Sequence, residues 1–136
     1  MYIPPLHKED DPEILHGIMR ENGFALLISS GQDEPTATHL PMMLETDGNG
    51  GAALIGHMAR ANQHLDILAN DPNALAVFSG PHAYVSPSWY EASPAVPTWN
   101  YVAVHAHGRV SLIDNPAELE PMLSDLVHQY EDPRET

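Results

Sequence analysis

NYVAVHAHGRVSLID, from Asn100 to Asp114, decides how the chain is organised. Val102, Val104, Ala106 and Val110 fall on one side of an extended backbone and Tyr101, Ala103, His105 and His107 on the other, because successive side chains of a strand point to opposite faces. A strand buried on one face needs neighbours, and the preceding sequence supplies them. FALLIS (24–29), PTATHLPMMLE (35–45) and GGAALIGHMA (50–59) are apolar runs separated by the turn sequences SGQDEP and TDGNGG. They predict three strands joined by hairpins. ALAVFSGPHAYVSP (74–87) predicts another, broken at Gly80 and Pro81 by a bulge or an edge, since proline cannot donate to a ladder.

Three segments carry helical spacing instead. DDPEILHGIMRENG (10–23) opens with acids and a proline, aligns Ile14, Leu15, Ile18 and Met19, and stops at Gly23. NQHLDILAND (62–71) predicts a short helix capped by Asn62, and NPAELEPMLSDLVHQYE (115–131) a longer one with Leu119, Leu123, Leu126 and Val127 on its apolar face. About five strands in hairpins with peripheral helices predict one mainly β domain of α+β type over residues 1–136, a small antiparallel barrel or sandwich. A parallel nucleotide-binding sheet is not expected.

The 19 Asp and Glu against 5 Lys and Arg leave a formal charge of -14. That charge opposes direct contact with DNA or an anionic lipid surface, both of which bind through clustered cations. With no cysteine there is no thiolate metal site, disulfide or Cys nucleophile. The beginning, MYIPPLHKEDDPE, lacks a signal peptide's apolar core, and no run is long enough to cross a membrane. A soluble cytoplasmic protein is the expectation.

GHMARANQHL (56–65) passes from strand to helix and spends one of the few cations there, Arg60, beside Asn62. A guanidinium next to unpaired N–H groups is suited to a monophosphate. The alternative is a surface ion pair for Arg60 and a plain helix cap for Asn62. Tyr84, Trp89, Tyr90, Trp99 and Tyr101 gather most of the aromatic residues within about twenty positions, as core, as a subunit interface, or as walls for a flat heteroaromatic ring. Asn100, with both donor and acceptor, is able to read such a ring's edge. His105 and His107 share one face of a strand, but a metal site needs further ligands and the glutamate expected a few residues later is absent, so no metal is assigned. The glycines of DGNGGAALIG precede a strand and read as a turn, and no G-x-S-x-G elbow occurs.

HMARAN (57–62), GPHAYVSPSWY (80–90) and VPTWNYVAVHAHGR (96–109), with the opening MYIPP and THLPMML (38–44), closely resemble the PaiB-like FMN-binding negative transcriptional regulators. The likeness extends from Met1 to about Glu131. It implies an antiparallel split β-barrel of the FMN-binding type, a homodimer, and FMN held at the subunit interface. By the same resemblance, Arg60 and Asn62, with His57 nearby, match the segment at the FMN phosphate. His39, Leu40 and Pro41 match the strand along the isoalloxazine, whose backbone groups bond the ring edge. Trp99 and Asn100, with Ser86 and Tyr90, match segments placed near the ring, from the partner subunit.

Members of this family continue through another helix and a final strand that this chain lacks, so the barrel is expected to be short of a strand and its FMN affinity is open. No residue stands out as an acid or base; any enzyme activity implied is a flavin-dependent oxidoreductase. Two alternatives stay open: a repressor that contacts DNA itself, and a haem-binding split barrel with one of the histidines as axial ligand.

Overall fold

The computed structural model describes residues 2–31 and 33–131; Gln32 of the first expected turn and residues 132–136 of the closing EDPRET stretch lie outside the described residues. Five strands, β1 (Phe24–Ser30), β2 (Pro35–Thr46), β3 (Ala52–Gly56), β4 (Asn73–Val85) and β5 (Thr98–Arg109), form one antiparallel sheet in the order β3-β2-β1-β4-β5. Three helices, α1 (Pro12–Glu21), α2 (His64–Asn70) and α3 (Pro116–Glu131), accompany it. The architecture is the mainly β, α+β class that the hairpin succession predicts, of the split-barrel kind. Among the described residues β3 and β5 are its two open edges.

Local chemistry accounts for the elements. Asp11 caps α1 by accepting from the Glu13 N–H, with Pro12 pre-set at the first position. Between β2 and β3, the Asp47 carboxylate accepts from the N–H groups of Asn49 and Gly51, both at 2.8 Å, while Gly48 and Gly50 take φ of 72° and 94°. Those angles lie in the left-handed region that glycine enters without steric cost. The expected irregularity at Gly80 and Pro81 is a register shift between Ser79 and His82.

β2 changes partner along its length. Its first part, Pro35 to Pro41, pairs with β1, and its second, Met42 to Thr46, pairs with β3. Met42 and Met43 are both buried where the partner changes, which breaks the period of two because both faces of the strand are covered there. Met42 joins the core of Ala25, Leu27, Leu40, Leu68, Ala76, Phe78 and Val104, closed by Met19 of α1. Met43 faces the other way, towards a small cavity it shares with Leu119, Met122, Leu123 and Leu126 of α3.

Helix α2 spans His64–Asn70, and Asn62 caps its start as expected: its Oδ1 accepts from the His64 N–H at 3.0 Å and its carbonyl from the Leu65 N–H at 3.1 Å, while Gln63 is already in helical conformation. Two expectations need correction. The third expected strand, written as 50–59, is confined to Ala52–Gly56, because the glycines before it are used by the turn and the chain after Gly56 leaves the sheet. The face of β5 that carries Val104 turns to the core over only part of its length: Val104 is buried, Ala106 and Val110 pack against the core, and Val102 stays exposed.

Candidate functional site

Because β3 pairs only with the second part of β2, no strand among the described residues occupies the edge of Pro35 to Pro41 opposite β1. Residues 57–63 leave β3 and run alongside that gap. Gly56 allows the close approach: a Cβ there would stand 2.8 Å from Leu40 Cδ1 and 3.2 Å from the Pro41 carbonyl oxygen. On the far side of the gap, Asn62 Nδ2 donates to Thr38 Oγ1 at 3.4 Å. The HMARAN and THLP segments, distant in sequence, are thereby brought together.

Within this loop the main-chain N–H groups of Arg60, Ala61 and Gln63 have no protein acceptor among the described residues. The Arg60 guanidinium meets Asp114 Oδ1 at 2.9 Å, with the two side chains 76% and 83% exposed. The ion-pair alternative is thus realised for Arg60. A pair this exposed is weak, worth about 0 to 1 kcal/mol, so an incoming anion competes with Asp114 on favourable terms. Helix α2, of 7 residues, adds little dipole, and the anion chemistry of the loop rests on its guanidinium and free N–H groups.

His39 is exposed and stacks on Phe24, with centroids 5.8 Å apart and planes 22° from parallel. Leu40 is buried in the core, so only its backbone is available to a ligand at the β2 edge. Pro41 borders a separate open cleft of about 510 Å³, lined also by Arg20, Phe24, Ser79 and Tyr130. Neither Arg60 nor His57 lines that cleft.

The remaining candidates, Ser86, Tyr90, Trp99 and Asn100, lie on the outer arm of the β4–β5 hairpin. Trp99 pairs with Tyr84 and Asn100 with Ala83, and Trp99 makes an edge-on ring contact with Tyr84 at 5.9 Å. Ser86 Oγ bonds Ser88 Oγ at 2.7 Å and accepts from the Ser88 N–H. His39, Leu26, Val77 and His105 form one row across the sheet. Trp99 is six positions from His105 along β5, about 20 Å at the usual rise of a strand. One chain therefore does not bring the arm residues to the β2 gap. His105 and His107 are exposed, and no cluster of three or more potential metal ligands occurs among the described residues.

Sequence reasoning missed the most tightly bonded group near the loop. His64 is fully buried, its Nε2 2.7 Å from Ser29 Oγ and its Nδ1 2.8 Å from Thr38 Oγ1. Its N–H donates to Asn62 Oδ1 at 3.0 Å. Burial lowers the His64 pKa, because the charged ring loses its hydration. The signal was present: Ala25, Leu27 and Ser29 share the inward face of β1, and an inward serine requires a polar partner. Although the Ser29–His64 contact has the length of a nucleophile–base pair, both residues are buried and neither lines the described cleft.

A gap edged by backbone groups thus lies beside a loop that carries a cation and free N–H groups, while His57 borders the small cavity under α3. The comparisons with known proteins show the family to which the chain belongs. A family model described as "Putative FMN-binding domain" matches residues 1–136. Protease synthase and sporulation protein PAI 2 of Bacillus subtilis is 36% identical over 135 residues, covering 99% of this chain and 64% of that protein. The uncharacterized protein YKL070W of Saccharomyces cerevisiae is 36% identical over 124 residues, 85% of this chain and 73% of its own.

In fold, the chain is similar to the crystal structure of a "putative 5-nitroimidazole antibiotic resistance protein" from Bacteroides thetaiotaomicron, with a TM-score of 0.71 at 16% identity over 90% of this chain and 68% of that one. The chain spans about two thirds of the length of the Bacillus relative. With a family match over all of its residues, this chain belongs to the PaiB-like FMN-binding family.

Proposed function

We propose that the chain is a homodimeric FMN-binding protein that holds the FMN phosphate with Arg60, His57 and the loop around Asn62, and the isoalloxazine edge along His39, Leu40 and Pro41. The observation that carries this reading is that, among the described residues, the Pro35 to Pro41 edge of β2 opposite β1 pairs with no strand and lies beside the loop that joins Arg60 to free main-chain N–H groups, with Thr38 bonded to Asn62 across the gap. In the homodimer, Ser86, Tyr90, Trp99 and Asn100 come to the ring from the partner's hairpin arm, which explains why aromatic side chains on that arm are left exposed here.

Bound FMN supplies one- and two-electron redox chemistry, and the protein's part is to orient the ring and exclude water from it. The phosphate end asks for charge and N–H donors, which the loop has; the ring edge asks for backbone donors and acceptors, which the β2 gap has. If the dimer is an enzyme, its class is a flavin-dependent oxidoreductase.

A regulatory role is read as working through flavin chemistry or a partner protein, because a charge of -14 repels a phosphate polymer. Among the described residues no helix is long and apolar enough to cross a membrane, and a cysteine-free chain suits the cytoplasm. Titration of FMN with the purified protein, followed by flavin fluorescence and by sedimentation, tests the reading. Saturable quenching with one FMN per chain in a dimer supports it, and unchanged fluorescence at high protein concentration overturns it.

A further inference from the structure

We propose that His64 is a positioning residue for the phosphate-binding loop, a neutral strut that holds residues 60–63 against β1 and β2 and sets the affinity for the phosphate without touching it. The inference rests on the FMN reading above and adds a residue that does not face the cofactor.

Four observations converge on the ring. His64 has 0% exposure, yet both of its ring nitrogens are bonded, to Ser29 Oγ at 2.7 Å and to Thr38 Oγ1 at 2.8 Å. Its main-chain N–H is held by Asn62 Oδ1 at 3.0 Å, and Asn62 Nδ2 returns to the same Thr38 Oγ1 at 3.4 Å. The result is a closed circuit, imidazole to Thr38 to Asn62 to the His64 backbone. It ties the loop to two adjacent strands at once.

Neutral imidazole suits the position: one ring nitrogen donates, the other accepts, and a hydroxyl can meet either need, so both tautomers are satisfied. Arg60 is two residues before Asn62, and the free N–H groups of Ala61 and Gln63 flank it. Fixing the Asn62 amide therefore fixes the segment whose donors must converge on one phosphate.

An aliphatic side chain at position 64 fills the space but breaks the circuit and leaves Ser29 and Thr38 without their buried partner. The loop is then free to sample conformations in which its donors diverge, and binding must supply the ordering entropy. That loss falls on the phosphate end. The ring edge along β2 keeps its place, because β2 is held by β1.

The test compares FMN with riboflavin, which carries the same ring and no phosphate, using fluorescence titration of wild type, H64L and H64Q. Wild type should prefer FMN; H64L should weaken FMN by about tenfold or more, the effect expected from losing well-made buried hydrogen bonds, with riboflavin affinity changed far less. H64Q, which keeps a donor and an acceptor, should recover most of the FMN preference.

Because H64L empties a fully buried polar position and can fail to fold, T38V provides a second variant that removes the shared hydroxyl at nearly constant volume. It should show the same selective loss of FMN. Equal weakening of both ligands, or an unchanged FMN preference in folded H64L or T38V, overturns the proposal. Failure of wild type to bind either ligand refutes the FMN reading itself, which separates the two.

Discussion

Arg60 Nη2 and Asp114 Oδ1 lie 2.9 Å apart, joining the loop after β3 to the connection between β5 and α3. The cation best placed for a phosphate is thus held by a carboxylate of the same chain, in solvent, where such pairs are weak and screened by salt. Replacing Asp114 by Asn should free the guanidinium and raise FMN affinity by up to about fivefold, consistent with the small worth of an exposed pair. Reversing the charge with Arg60→Glu should weaken FMN by more than about tenfold. Fluorescence titration at low and at high salt measures both effects; an Asp114→Asn protein that binds FMN more weakly than wild type contradicts this assignment.

Stability should fall on mild acidification through His64. Burial lowers its pKa from the ordinary 6.5, so the unfolded chain takes up a proton that the folded chain refuses. The contribution is complete above the unfolded value and is lost as the pH drops from 6.5 towards the depressed folded value. Urea midpoints at stepped pH values should therefore decline over that window for wild type and decline less for His64→Gln. Parallel curves for the two proteins would exclude the imidazole as the source.

The exposed arm should govern association. Trp99 is 60% exposed and Tyr90 53%, and the outer part of the hairpin extends past the residues of β4 that β1 covers. Trp99→Glu should convert the proposed homodimer to monomers in sedimentation velocity, since a charge cannot be buried there without a partner. Its circular dichroism should stay that of the wild type, because the side chain supports no core.

Two glycine substitutions should act in opposite directions. Gly17 lies within α1 and a Cβ there meets nothing within 4 Å, so Gly17→Ala should stabilise the protein by about 0.5 to 1 kcal/mol through backbone entropy and helix propensity. At Gly56 the added Cβ would press on Leu40 and on the Pro41 carbonyl at 3.2 Å. Gly56→Ala should lower stability by about 1 kcal/mol and weaken FMN as well, since that close approach holds the loop to the β2 gap. Chemical denaturation and the same titration provide the measurements.

Phe78 has 0% exposure at the centre of the core, and Phe78→Ala should cost about 3 to 5 kcal/mol. That is a large share of a small domain's stability, and a shift in the urea midpoint checks it.

Much of this was legible in the chain itself. Alternation along NYVAVHAHGRV, the apolar runs on either side of glycine-rich turns and the proline-broken strand are local patterns, set by the two-residue repeat of extended backbone and by turn chemistry, and they specify the hairpins and the α+β class without reference to distant residues. The family resemblance at HMARAN and VPTWNYVAVHAHGR was likewise readable, because those runs are contiguous.

What only the tertiary structure decided concerns residues far apart in sequence. The change of partner along β2 between Pro41 and Met42 leaves the gap, Gly56 brings the loop beside it, and His64 closes on Ser29 and Thr38 across 35 and 26 positions of chain. Arg60, by contrast, is diverted to Asp114. Such pairings depend on which faces meet after packing, and a polar side chain gives no sign in one dimension of whether it will be sealed in the core or left to water.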